Sequence, residues 1–253
     1  MNPEPSKKFV EKTQNTSENS IIEIKNQNRG GKGTLQERTR NFLNNAMHYN
    51  MTTLAIIGTA FRRDDASKCN IELFNSMYLI AESLIVQWNK VNNPITHLIS
   101  GGACGADHLA VRLYLNNVVP NLRLYLPCEW ENGKFKNVEN CFDVSTSNVI
   151  NHYHDKFKSY TNIDSLSEIE SARLKGAELI AVEGGFKGRN KLVSQSEILL
   201  AMTFGYENYI KQGGTEDTVK SYLKRISKEG SRDNSYHYNL NDGKIYKGCK
   251  IIP

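Results

Sequence analysis

A glycine-rich segment between two apolar stretches holds the residues of this chain best suited to chemistry. It reads Ser100-Gly101-Gly102-Ala103-Cys104-Gly105-Ala106-Asp107, and it lies between the apolar run 95–99 and a helical pattern of apolar residues. Glycines let the backbone approach a ligand, and the free N–H groups and dipole of a helix start attract negative charge. The order strand, glycine turn, helix therefore predicts a phosphate-binding loop, although a tight turn without a ligand also selects glycine.

Four predicted strands each end in residues suited to a nucleotide or a sugar phosphate. In chain order these are Gly58-Thr59 with Arg62 and Arg63, then the glycine segment, then Cys128-Glu129-Trp130, and finally Gly213-Gly214-Thr215-Glu216-Asp217-Thr218. Ligands of parallel sheets bind at the carboxyl ends of the strands. The second glycine turn also opens a predicted helix, and chain geometry alone explains two such turns on one edge less easily than one.

The elements that position these residues alternate along the chain. Short apolar strands are predicted at 54–57, 95–100, 122–126 and 197–204, with helices at about 67–89, 103–116 and 215–228. This alternation is typical of a parallel sheet covered on both faces. We therefore expect an α/β, Rossmann-like central parallel sheet with helices on both faces and all candidate site residues on one edge.

Other segments lie outside this pattern. Residues 1–33 are polar, which predicts a disordered or loosely attached tail, and 34–51 should form a short helix and linker. Within the remaining domain, 52–253, segment 131–183 is too long for a simple connection. We expect an insertion, polar to about residue 162 and helical over 164–181, that closes over the ligand edge or packs against a partner. Residues 236–247 predict a C-terminal hairpin around Asn241-Asp242-Gly243.

The composition of the 253-residue chain limits its class. Hydrophobic residues make up 39%, and no apolar run approaches the roughly 20 residues needed to span a bilayer. The N-terminus lacks the apolar segment of a secretory signal, and the five cysteines contain no CxxC pair. We therefore expect a cytoplasmic protein with no membrane partner, no zinc site and no cofactor, and a homo-oligomer. The formal net charge of +5 does not demand a nucleic-acid partner.

The ordered set of motifs resembles the SLOG superfamily, and more narrowly its YspA/YpsA-related branch. The motifs are Ile57-Gly58-Thr59, the glycine segment, Pro127-Cys128-Glu129-Trp130, Gly188-Arg189-Asn190 and the second glycine turn, within roughly residues 52–225. The resemblance implies a Rossmann-like fold whose glycine loops bind nucleotides or nucleotide-derived ligands. The superfamily includes Lonely Guy phosphoribohydrolases, which cleave nucleoside monophosphates at the N-glycosidic bond, DprA-type proteins, which bind single-stranded DNA, and ligand-sensing domains of defence systems.

The resemblance implies a ligand site at the sheet edge. Arg189 matches the arginine that Lonely Guy enzymes place at the reacting nucleotide, and a guanidinium group suits a bidentate contact with phosphate. We expect Asp107 to cap or brace the glycine segment rather than to react. The full set of expected ligand-binding residues is Gly58, Thr59, Arg62, Gly101, Gly102, Gly105, Asp107, Arg189, Asn190, Gly213, Gly214, Thr215 and Thr218.

Catalysis is the function for which the motifs depart from the resembled pattern. The Lonely Guy glutamate falls three residues after the threonine of the second glycine turn, which is Thr218 here, and the turn is one residue shorter. The candidate catalytic residues are therefore Arg189, Glu129 and Asp217, since an oxocarbenium-like ribose needs a nearby carboxylate. We expect a sensor or binding module, with N-glycosidic hydrolysis and single-stranded DNA binding in the DprA manner as alternatives.

Two further features have a chemical and a plain interpretation. Cys104 lies at a predicted helix start, which would lower the pKa of its thiol, but no base partner is visible and a small filler residue is the favoured interpretation. His152 and His154 could suggest a metal site, whereas histidines two residues apart in a polar loop are more often solvated.

Overall fold

A computed structural model describes residues 51–136 and 146–252. Its strands are β1 (Thr52–Gly58), β2 (Ile95–Ser100), β3 (Asn121–Leu126), β4 (Glu129–Glu131), β5 (Lys134–Lys136), β6 (Glu178–Ala181), β7 (Ile198–Thr203), β8 (Tyr209–Ile210), β9 (Ser235–Asn239), β10 (Lys244–Lys247) and β11 (Lys250–Ile251). Its helices are α1 (Ile71–Val91), α2 (His108–Leu115), α3 (Thr146–Thr161), α4 (Ser165–Leu174), α5 (Gly185–Val193) and α6 (Gly214–Glu229), with short 3-10 helices at Arg63–Lys68 and Gly105–Asp107. The tail expected at 1–33 lies outside the described residues, as does the short helix and linker expected at 34–51, apart from residue 51.

Seven strands form the central sheet, in the order β10-β9-β7-β1-β2-β3-β6. All neighbours are parallel except β10, which pairs antiparallel with β9 across the expected C-terminal hairpin. The expected Rossmann-like parallel sheet is confirmed. The chain builds outward from β1 through β2, β3 and β6, then returns to place β7 on the other side of β1. In open sheets of this kind, the carboxyl ends of the two strands flanking such a reversal form a crevice.

The two faces of the sheet bury different side chains, because alternate residues of a strand point to opposite faces. Leu54 and Ile56 of β1 pack with α1, α2, α3 and α4, whereas Ala55 and Ile57 pack with α5 and α6. Helices therefore cover both faces, as expected. The described residues contain no helix long and apolar enough to cross a membrane.

Segment 131–183 differs from the expectation in its secondary structure. Its polar part forms helix α3, which buries Ile150, His154 and Phe157 at helical spacing. The helix expected over 164–181 is present only in its first part, because α4 ends at Leu174 and Glu178–Ala181 form strand β6 beside β3. Helix α4 ends in a Schellman motif, with Gly176 in a left-handed conformation (φ +110°). The N–H of residue 176 donates to the carbonyl of 173, and the N–H of 177 donates to the carbonyl of 172.

Candidate functional site

Tight backbone contacts at Gly58 and Thr59 join the ends of β1 and β7 at the carboxyl edge of the sheet. The N–H of Thr59 donates to the carbonyl of Met202 in β7 at 2.9 Å, and the carbonyl of Thr59 accepts from the N–H of Ala106 at 3.0 Å. A Cβ at Gly58 would lie 2.1 Å from the Met202 carbonyl oxygen, and one at Gly105 would lie 2.3 Å from the Thr59 oxygen. Both glycines are therefore required by internal packing, which locks the glycine segment onto the end of β1.

Asp107 holds the glycine segment in place through two hydrogen bonds. Its carboxylate accepts a hydrogen bond from the N–H of Gly101 at 3.2 Å, while its carbonyl accepts from the hydroxyl of Ser100 at 2.9 Å. The side chain is only 5% exposed. Burial raises the pKa of the Asp107 carboxyl, against the opposing effects of Arg189 and of the backbone N–H groups. Asp107 thus acts on the loop conformation.

Arg189 and Asn190 on α5 connect the two glycine turns. The Nη1 of Arg189 donates to the carbonyl of Gly101 at 3.2 Å, and its Nε and Nη2 donate to Oδ1 of Asn190 at 3.2 and 3.0 Å. The Nδ2 of Asn190 donates in turn to the carbonyl of Gly214 at 3.2 Å. The first glycine segment, the arginine and the start of α6 therefore form one hydrogen-bonded unit.

The start of α6 lies against the end of β1 but leaves space beside its first residues. The hydroxyl of Thr215 donates to the carbonyl of Gly58 at 3.0 Å. A Cβ built on Gly213 would meet no described atom within 4 Å, and one on Gly214 would meet only the amide nitrogen of Asn190, at 3.8 Å. The first N–H groups of a helix have no acceptor within the helix. The carboxylate of Glu216 accepts the Gly213 N–H at 3.4 Å and pairs with Lys220 at 2.8 Å, so the N–H groups of the residues that follow Gly213 are the ones left to meet a ligand next to Arg189.

Arg62, in the loop after β1, lies beside the same unit. Its guanidinium carbon is 4.5 Å from the ring centre of Tyr153 and 5.7 Å from that of Phe186, while the Arg189 guanidinium carbon is 5.3 Å from the Phe186 ring centre. The Nε of Arg62 is buried without a hydrogen-bond partner among the described residues. Within that part of the chain, neither arginine forms a salt bridge.

The charges of Arg62, Arg189 and Asp107 influence one another at this edge of the sheet. Burial lowers the pKa of Arg189, the charge of Asp107 opposes this, and the charge of Arg62 adds to it. The field of Arg62 also contributes to a lowered pKa at His154, where burial is the main cause and brings the value to about 3. Positive charge is therefore concentrated at this edge, with Asp107 as its buried counter-charge.

Three of the expected site residues also have close contacts within the protein. The hydroxyl of Thr218 is buried and donates to the carbonyl of Gly214 at 3.2 Å, within its own helix. The hydroxyl of Thr59 donates to Asp65 at 3.2 Å and accepts from the N–H of Phe61 at 3.0 Å. Packing favours glycine at position 102, since a Cβ there would lie 2.6 Å from Leu126 Cδ2.

The two candidate catalytic carboxylates do not join the arginines. Asp217 is exposed on α6, and no described hydrogen bond or salt bridge ties its carboxylate to the site. Glu129 lines a separate cavity of about 380 Å³ beside β3 and β6, together with Trp130 and Arg173. Leu126 lines that cavity and also packs beside Gly102.

Cys104 and His154 are buried structural residues. Burial raises the pKa of the Cys104 thiol to about 12, so the lowered pKa suggested by its place before a helix is wrong. His154 is 1% exposed rather than solvated; its ring lies 2.7 Å from the Ser165 hydroxyl and 3.1 Å from the Gly102 carbonyl. The described residues contain no group of three or more metal-ligating side chains.

Sequence reasoning missed the residues that surround Arg62. Tyr153 lies in the segment expected to be a polar insertion, and its contact with Arg62 joins residues 91 positions apart. Phe186 precedes Arg189 by three residues, which is one helical turn, so helical spacing in α5 was the available signal. Lys211 and Asp65 form a salt bridge of 2.7 Å below the loop, and no motif indicates it.

Comparison with known proteins finds one clear relative. The uncharacterized protein R261 of Acanthamoeba polyphaga mimivirus is 34% identical over 167 residues, which cover 65% of this chain and 87% of the viral protein. The chain belongs to the family of this protein. No protein-family profile matches the chain.

Proposed function

We propose that this protein binds the phosphate of a nucleotide or nucleotide-derived small molecule at the carboxyl edge of the sheet, as a sensor or binding module. The proposal agrees with what the resemblance to the SLOG superfamily implies. The observation that carries it is Arg189: a guanidinium held between two glycine turns, beside an open helix start and without a salt bridge among the described residues.

The guanidinium of Arg189 is preorganised for a phosphate. Hydrogen bonds to Gly101 and Asn190 fix the guanidinium before any ligand arrives. A fixed donor loses little side-chain entropy on binding, and charge-assisted hydrogen bonds to phosphate are among the stronger ones in proteins. The start of α6 adds N–H donors and dipole on the neighbouring side.

Binding is favoured over N-glycosidic hydrolysis by the positions of the carboxylates. Hydrolysis needs a carboxylate beside the ribose. Asp107 lies closest to the arginine but is buried behind the loop and engaged with Gly101. Glu129 lies at another cavity and Asp217 is exposed on the helix, so neither supplies this group.

The proposal is tested by thermal-shift measurements with nucleotides, dinucleotides and cyclic nucleotides, followed by calorimetry on those that stabilise the protein. Arg189→Gln should weaken binding about tenfold to a hundredfold, because it removes a charge-assisted contact. Lys191→Gln is the matched control: it removes one exposed positive charge two residues away and should leave affinity nearly unchanged. No thermal shift with any compound, or equal effects of the two variants, would contradict the proposal. Tight binding of single-stranded DNA alone would replace it with the DprA-like alternative.

A further inference from the structure

Building on the proposed function, we infer that the ligand carries two linked anionic groups, as in a diphosphate, and that Arg62 contacts the second of them. Arg189 would hold the first group between the glycine turns. The inference names the ligand class of the site, which the proposed function leaves open between one phosphate and several.

The loop after β1 holds Arg62 in a defined position. Its neighbours Phe61 and Arg63 both adopt left-handed backbone conformations, with φ of +52° and +53°, which are unfavourable for such side chains. Such strain persists only where surrounding contacts enforce it, and it is concentrated at ligand clamps. Here the hydroxyl of Thr59 accepts from the N–H of Phe61 and donates to Asp65, which Lys211 holds in a salt bridge.

One nitrogen of the Arg62 guanidinium, Nε, lacks a hydrogen-bond partner among the described residues. The guanidinium packs over the rings of Tyr153 and Phe186, and these apolar faces replace part of its hydration without accepting hydrogen bonds. Its Nε is also buried. A buried donor left unpaired is unfavourable, so a shift of the side chain that brings Nε to an acceptor on a ligand would relieve the penalty.

The two arginines share a neighbour, Phe186, which limits how far apart their guanidinium groups can lie. Their guanidinium carbons lie 5.7 and 5.3 Å from the centre of the same Phe186 ring, so they are within about 11 Å of each other, the sum of those distances. Like charges this close repel, and Arg62 adds to the lowering of the Arg189 pKa. Asp107 is the one carboxylate that acts on Arg189 among the described residues, and it lies behind the loop. Two linked anionic groups reach further than one phosphate, so a ligand that carries them can contact Arg62 while its first group stays at Arg189.

The experiment compares orthophosphate with pyrophosphate, which differ in the number of linked anionic groups and need no base. Affinities are measured by calorimetry at low ionic strength for the wild type, Arg62→Gln and Arg63→Gln. Arg63 is the matched control, because it is the exposed neighbour on the same loop. The ¹H–¹⁵N resonance of the Arg62 side-chain Nε is followed in the wild type, so the test also stands if Arg62→Gln fails to fold.

We expect the wild type to bind pyrophosphate at least tenfold more tightly than orthophosphate, with a shift of the Arg62 Nε resonance for pyrophosphate. Arg62→Gln should abolish this preference while orthophosphate affinity stays unchanged, and Arg63→Gln should retain the preference. Equal affinity for the two anions, or an unmoved Arg62 resonance, would overturn the inference and leave the proposed function standing. If neither anion binds, nor any nucleoside mono- or diphosphate, both the inference and the proposed function fail.

Discussion

Glu168 is predicted to be a main acid-sensitive support of the helix that follows the glycine segment. It lies 2.7 Å from Nε2 of the fully buried His108 and accepts hydrogen bonds from Arg112, the shortest of them 2.6 Å. Burial raises the pKa of Glu168, but the hydrogen bonds from these two residues outweigh it and bring the value to about 2. The difference from the ordinary 4.5 corresponds to about 3 kcal/mol of folding free energy at neutral pH.

The sign follows from the lowered pKa. The unfolded chain takes up the proton near pH 4.5, while the folded protein resists it to about pH 2, so this stabilisation is complete above pH 4.5 and declines as the pH falls. Glu168→Gln should therefore lower the free energy of unfolding by about 3 kcal/mol at pH 7 and by progressively less below pH 4.5. The measurement is urea denaturation at pH 7, 5, 4 and 3.

Glu229→Gln is the control for this prediction. Glu229 also pairs with an arginine, Arg225, which lies one turn earlier on the same helix, but Glu229 itself is exposed. Its removal should change the free energy of unfolding by only about 0.5 kcal/mol. The reasoning is refuted if the two variants are equally stable at pH 7, or if the effect of Glu168→Gln is the same at pH 7 and pH 3.

Three further predictions concern the packing around the site. Gly58→Ala should lower the free energy of unfolding in urea by about 2–3 kcal/mol, because its Cβ would meet the Met202 carbonyl, whereas Gly214→Ala at an open position should stay within about 0.5 kcal/mol; equal effects would disprove the packing role. The His154 ring resonances should not titrate between pH 8 and pH 5 by NMR, since burial lowers its pKa to about 3, and stability that depends on the neutral ring should decline below about pH 6.5; a titration midpoint near 6.5 would contradict this. Cys104 should resist maleimide at pH 7.5 until the protein unfolds, as peptide mapping would show, because burial raises its pKa to about 12; rapid native labelling would argue for a reactive thiol.

The sequence predicted the parallel sheet well because apolar strands and the glycine turns that follow them are local signals. The runs around Leu54, Ile99 and Leu200 are buried on both faces of a parallel sheet. Strands buried in this way are continuous apolar runs, which are easy to recognise in a sequence. Because ligands bind parallel sheets at the carboxyl ends of the strands, the two glycine turns and Arg189 were predicted as a ligand site, and that site stays a prediction.

The remainder depends on contacts that no local pattern records. Helix α3 was missed because one of its buried positions is His154, a residue that looks polar until its hydrogen bonds to Ser165 and Gly102 are known. Strand β6 has four residues and mostly exposed side chains, so its pairing with β3 leaves no apolar run. The glycines at 58, 102 and 105 each have a neighbour distant in sequence that leaves no space for a side chain, and no local pattern indicates these contacts.

The central claim is that a phosphate-bearing ligand binds between the glycine turns, and chemical-shift mapping tests it most directly. The isotopically labelled protein is titrated with the nucleotide that gives the largest thermal shift. The account predicts movement of the Gly101 and 213–215 amides and of the Arg189 side chain, while the indole N–H of Trp130, which donates to Glu170 beside the separate cavity, stays in place. Movement of the Trp130 indole with unmoved glycine amides would place the ligand in the other cavity and contradict the account.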